Sequence, residues 1–160
     1  MEKEDLSVIL RQHPFLLGLS DEKMKTLIGC ASNVRFPEGA HLIREGELAN
    51  TFYLIRTGRV ALEIDVPGRG SLRIQTTGPG ETLGWSWLIY PYRWHFSGIV
   101  VAETRAIALD GGCLRNKCES DPAFGYDMLQ RLAQVMERRL EATRLQLIDL
   151  HVSTTAGGRV

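Results

Sequence analysis

Helical spacing of apolar residues at both ends of the chain frames a long middle section of alternating strands. In residues 4–12, Leu6, Ile9 and Leu10 share one helical face. Pro14 ends that segment, since proline lacks the N–H and its ring clashes with the preceding turn. Ser20 starts a second helix as N-cap, Asp21 and Glu22 suit its positive end, and Met24, Leu27 and Ile28 form its apolar face. From Asn33 the period shortens to two. Val34 with Phe36, Leu42 with Arg44, Phe52 with Leu54, and Val60, Leu62 and Ile64 alternate between glycine-bearing turns, and PGRG at 67–70 is a hairpin turn. Ser97–Ala102 and Arg105–Leu109 read as two further strands. About eight short strands with close turns predict a mainly β fold, an eight-stranded jelly roll (double-stranded β-helix) flanked by helices.

Helical character returns in a short segment, Gly111–Glu119. Ser120, Asp121 and Pro122 then give a helix start, and apart from Gly125 nothing interrupts the segment before about Leu150. Leu129, Leu132, Met136, Leu140, Thr143, Leu147 and Leu150 step by three or four along one stripe, with an eleven-residue spacing first and a heptad after it. A helix of nearly 30 residues spans about 42 Å, longer than a roll of this size covers. The stripe either packs wholly on its own roll or, as expected here, pairs distally with a second copy as a two-stranded coil in a symmetric dimer. The resulting division is a helical lead-in at 1–32, a β-roll at 33–110, a short helix plus a long dimerisation helix at 111–151, and a small, polar, glycine-rich tail at 152–160 expected to be disordered.

Composition adds limits. The chain has 160 residues, 44% hydrophobic and 24% charged, which suits one globular domain. Its formal net charge of zero provides no general field for nucleic acid or an anionic membrane. The amino terminus is acidic and amphipathic, no long apolar run exists, and a cytoplasmic location is expected. Cys30, Cys113 and Cys118 share no CxxC spacing and are expected to be buried or half-buried thiols. His13, His41 and His151 fall on turn or terminal positions, where surface placement or local hydrogen bonding is expected. No metal-ligand spacing is present, and no acid–base pair, nucleophile elbow or P-loop supports catalysis, so no enzyme and no metal are expected.

One stretch stands apart. Gly80–Phe96, GETLGWSWLIYPYRWHF, holds all three tryptophans together with Tyr90, Tyr92 and Phe96. Its aromatics are laced with Ser86, Arg93 and His95, the mixture that a pocket for a flat anionic ligand needs.

The order of elements, with HPFLLGLSDEKMKTL, the glycines of FPEGAHLIREGELANTFYLIRTGRV (Gly39, Gly46 and Gly58) and RLAQVMERRLEATR at 131–144, resembles the cyclic nucleotide-binding domain family. The likeness is to the effector half of catabolite-activator-type bacterial regulators and runs from about residue 13 to 150. It implies that Gly80–Phe96 is the phosphate-binding cassette. There a Gly-Glu pair opens a short helix whose N–H groups hold the cyclic phosphate, glutamate takes the ribose hydroxyl, and an arginine neutralises the phosphate. Gly84 matches the cassette glycine, but Trp85 replaces the glutamate, and His95 or Phe96 falls where the arginine–serine pair belongs.

Both selective residues of the family site are therefore missing. The N–H groups from Gly84 to Trp87, the Ser86 hydroxyl, and Arg93 beside Trp94 and His95 remain as candidate ligand contacts. By family position, Leu62 and Ile74 form pocket wall, while Thr143, followed by Arg144, approaches the base from the long helix. The expected function is a dimeric, stand-alone sensor or regulatory domain. It binds a small anionic or aromatic ligand, a cyclic nucleotide among them, requires no cofactor, and signals through its long helix to a partner protein. One alternative is a ligand-free dimerisation module whose pocket is plugged by Trp85 and Trp87. Another is part of a transcription regulator, with no DNA or membrane contact made by this chain itself.

Overall fold

A computed structural model describes residues 3–157 of the chain, with side chains described for 6–154. Two short helices, α1 (Lys3–Gln12) and α2 (Asp21–Ile28), flank a 3-10 turn at Pro14–Leu16. The strands are β1 (Ala31–Phe36), β2 (His41–Ile43), β3 (Thr51–Val66), β4 (Gly70–Thr77), β5 (Thr82–Leu83) and β6 (Ser97–Asp110). Helices α3 (Gly111–Ser120) and α4 (Pro122–Gly157) complete the described chain. The caps follow the side-chain chemistry. Ser20 Oγ accepts the Lys23 N–H at 3.3 Å, Asp110 Oδ1 accepts the Cys113 N–H at 2.7 Å, and Asp121 Oδ1 accepts the Phe124 N–H at 3.2 Å.

The strands pair antiparallel in the order β1-β6-β3-β4, with β2 also on β6 and β5 on β3. Six strands are described rather than eight, because β3 and β6 each absorb two of the expected ones. Their 16 and 14 residues bend without breaking, and the β3–β6 register shifts between Ile55 and Val60. Gly58 permits the bend: its φ is +96°, and a Cβ there would overlap the backbone at Glu103–Thr104. The buried Thr104 hydroxyl accepts the Arg59 N–H at 3.2 Å and donates to Ala102 O at 2.8 Å, satisfying the irregular backbone.

Two apolar clusters result. One, with Leu54, Ile107, Leu114, Phe124, Met128 and Leu132 among its members, joins the helices to the end of the roll. The other, including Ile43, Ile55, Val60, Leu62, Leu83 and Trp94, fills the roll. The 36 residues of α4 extend about 54 Å, well past the roll. The helix continues through Gly157, so the expected disordered tail is helical over 152–157, where backbone hydrogen bonding extends the preceding turns. The remainder of that tail, residues 158–160, lies outside the described residues.

The cysteine expectation is also corrected. Cys30 and Cys113 form a disulfide with their Cα atoms 5.7 Å apart, tying the start of β1 to α3, and Cys118 is free. His13 makes the local hydrogen bonding expected of it, but in a buried setting rather than on the surface. Its Nε2–H donates to Ile55 O at 3.0 Å and its Nδ1 accepts the Phe15 N–H at 3.2 Å. Burial lowers its pKa from the usual histidine value. Among the described residues, no helix is long and apolar enough to cross a membrane.

Candidate functional site

β5 leads into Gly84, whose φ of +82° turns the chain toward Trp85. The cassette helix that the family resemblance implies is not formed. Residues 85–88 instead make a single turn closed by Leu88 N–H donating to Trp85 O at 3.0 Å. A cis Tyr90–Pro91 bond follows, and residues 92–94 are strapped to the loop at 46–49. The strap consists of Gly46 N–H to Trp94 O at 2.9 Å, Trp94 N–H to Glu47 O at 3.0 Å and Ala49 N–H to Tyr92 O at 2.7 Å.

The three tryptophans part company. Trp87 is 1% exposed and packs in the helix-facing core, its ring 5.5 Å from Phe52. Buried Ser86 precedes it. Trp85 is half-buried against the same core, and the Arg139 guanidinium covers its ring at 5.2 Å. Trp94 instead enters the roll, where it is 6% exposed among Leu62, Leu83 and Val100. Its ring lies directly over Gly84: a Cβ there would approach ring carbon Cη2 to 2.6 Å and Cζ3 more closely still. The indole that fills the roll is therefore Trp94, not Trp85 or Trp87.

Several candidate contacts do not converge on Gly84. Arg93 is exposed, and its Nη1 donates to Gly46 O at 3.2 Å, which commits it to the loop strap. His95 is exposed. Leu62 does face the interior, but its register partner is Gln75. Residues paired directly across a ladder share a face, so Ile74 points the other way and is 42% exposed. Thr143 is exposed and donates back to Arg139 O at 2.8 Å, and Arg144 is exposed with Glu141 at 3.9 Å. Neither approaches the cassette.

What reaches the cassette from α4 is Arg139, unmarked by the sequence reading. It donates to Thr82 O as well as covering Trp85. Burial pulls its pKa below the ordinary arginine value, and nearby Glu81 opposes that shift. The signal for it was present: the inward stripe Phe124, Met128, Leu132, Val135 continues at helical spacing to position 139, where an arginine stands. Arg131 fixes the base of the same helix, bonding Asp127 at 2.6 Å and the carbonyls of Phe15 and Leu17, each at 2.8 Å. Burial works against ionisation of Asp127, but hydrogen bonds from Arg131 and Lys23 outweigh it and hold the carboxyl below its usual range.

The stripe expected to dimerise is in fact two stripes. Leu132 is fully buried in the core and is not available to a partner, because its face of the helix meets α3 and the roll. Leu129, Leu140, Leu147 and Leu150 are each more than half exposed, and Met136 is partly so. With exposed Ala133 in place of Leu132, positions 129, 133, 136, 140, 143, 147 and 150 form an unbroken four-three repeat.

A β-roll with a two-helix lead-in, a glycine turn between its last strands and a long exit helix is the architecture that the sequence resemblance implies. The cyclic nucleotide-binding domain family model matches residues 33–121, and the chain belongs to that family. A CRP-like cAMP-activated global transcriptional regulator from Mycobacterium tuberculosis is 29% identical over 153 residues, 95% of this chain and 66% of that protein. A cGMP-dependent protein kinase from Eimeria tenella is 32% identical over 140 residues, 87% of this chain but 13% of the kinase. Among solved structures, the Thermus thermophilus catabolite activator protein aligns with a TM-score of 0.67 at 25% identity, over 86% of this chain and 63% of that one. A cyclic nucleotide-binding domain from Methylobacillus flagellatus has the same fold, with a TM-score of 0.76 at 22% identity over 92% of this chain and 83% of that one.

Proposed function

We propose that this chain is a homodimeric regulatory domain that has given up the cyclic phosphate site and reads the state of its cassette through α4. The observation that carries the reading is the double role of α4. Its inward face touches the cassette through Arg139, while its other face presents an exposed four-three apolar repeat. Such a helix couples a local change at β5 and Trp85 to the geometry of a dimer, provided a ligand favours one arrangement over the other.

Closure of the roll favours a ligand other than cyclic AMP or cyclic GMP. Trp94 occupies the space over Gly84, and neither the glutamate nor the arginine of the family site is present to replace the lost contacts. The same packing favours a second reading, a dimerisation and protein-interaction module that binds no small ligand. In the first reading a partner protein receives the signal; in the second it docks on a fixed dimer.

Sedimentation equilibrium on the whole chain tests the shared core of both readings. A dimer converted to a monomer by Leu140→Glu with Leu147→Glu supports it, and a wild-type monomer across the micromolar range overturns it. Ligand-induced stabilisation in a thermal-shift screen then separates the sensor from the ligand-free module.

A further inference from the structure

Outside the roll, a cleft of about 440 Å³ opens between α4 and the turn joining β4 to β5. Its floor is apolar, with Phe15 and Val135 both buried, and Gln75 offers an amide from β4. Arg138 and Arg139 both line it from α4. Arg139 is only partly exposed, and no carboxylate of the described residues lies within ion-pair distance of it. A carbonyl, a ring face and the nearby charge of Glu81 compensate part of its charge, but no acid among the described residues pairs with it directly, and burying a cation without such a pair is costly. Glu81 is the one acid among the lining residues, and its Oε2 already accepts the Gly78 N–H at 2.9 Å. The cleft therefore joins an excess of positive charge to an apolar floor, at a volume within the range of small-ligand pockets.

We propose that this cleft binds an organic anion of about mononucleotide size, its acid group held by Arg138 and Arg139 and its flat apolar body lying on Phe15 and Val135. The inference rests on the reading of α4 as the output element and names the ligand class that would act on it. An acid group that engages Arg139 competes with Thr82 O for the guanidinium and so alters the link between β5 and α4. At 100° per residue the cleft face of α4 lies roughly 130° around the axis from the exposed apolar repeat, so the site stays open in the dimer.

The probe is 8-anilinonaphthalene-1-sulfonate, titrated calorimetrically into the whole chain, with circular dichroism confirming that each variant folds. Saturable binding of one probe per chain is expected. Arg138→Glu weakens it by roughly tenfold or more through loss of a charge-assisted contact, and Ala142→Phe blocks it by filling the cleft. Arg144→Glu, on the same helix but outside the cleft, leaves it unchanged. Absence of saturable binding, or binding that survives both Arg138→Glu and Ala142→Phe, overturns the site. If binding fails while the chain still sediments as a dimer, the cleft assignment alone falls; a monomeric wild type removes the reading beneath it.

Discussion

Alanine at Gly84 probes the closure of the roll from both sides. The native φ of +82° is left-handed, which costs a residue bearing a Cβ about 1–2 kcal/mol. The new methyl also meets the Trp94 ring, with Cη2 at 2.6 Å, and overpacking of that kind costs about 1–3 kcal/mol more. Gly84→Ala is thus expected to destabilise the fold by about 2–5 kcal/mol. Trp94→Ala alone empties the roll interior and costs about 3–5 kcal/mol. In the Trp94→Ala background, Gly84→Ala loses its steric part and costs only the backbone share of about 1–2 kcal/mol. The double-mutant cycle should show a coupling of about 1–3 kcal/mol, measured by urea unfolding followed by far-UV circular dichroism. Equal costs in both backgrounds would mean that the indole does not rest on Gly84, and the argument for a closed roll would fail.

Three other perturbations separate parts of the account. Leu132→Ala should destabilise the fold by about 2–5 kcal/mol in denaturant melts without changing the dimer contact, while Leu147→Ala should weaken association in sedimentation experiments and leave intrinsic stability within about 0.5 kcal/mol. Reducing the Cys30–Cys113 bridge, or replacing Cys113 with serine, should lower stability by about 4 kcal/mol, since the bridge closes a loop of 83 residues; an unchanged melting temperature with and without reductant would refute the pairing. His13 is neutral in its buried setting with a lowered pKa, so the unfolded chain takes up its proton first as pH falls. Its contribution is fully present above the unfolded value of about 6.5 and is lost progressively below it, and His13→Gln should flatten the fall in stability between pH 7.5 and pH 5.

Local chemistry was well written in the sequence. Ser20 caps α2, PGRG turns β3 into β4, and the family resemblance rested on glycines such as Gly58 that the bend of β3 requires. Long-range choices were not. Arg56–Gly58 and Glu103–Thr104 look like strand breaks, yet paired bulges absorb them within continuous strands. Nothing in the spacing of Cys30 and Cys113 announces their meeting, which depends on β1 pairing with β6 and placing the two chain segments together. On α4, leucine at 132 outcompeted alanine at 133 in the reading of the stripe, because hydrophobicity alone does not say which of two adjacent faces meets the core.

The cassette shows the same division. The glycine turn at Gly84 was legible, whereas the choice of indole depended on the loop strap. Backbone bonds with Gly46, Glu47 and Ala49 hold residues 92–94 against that loop, and Trp94, not Trp85 or Trp87, enters the roll. Gln75 replaced Ile74 beside Leu62 because of the β3–β4 register, which sequence alternation could not specify.

Calorimetric titration of cyclic AMP and cyclic GMP into the wild-type chain addresses the closed roll most directly. With Trp94 seated over Gly84, neither nucleotide should give saturable heat up to millimolar concentration. Micromolar binding of either one, abolished by Gly84→Ala, would contradict the account.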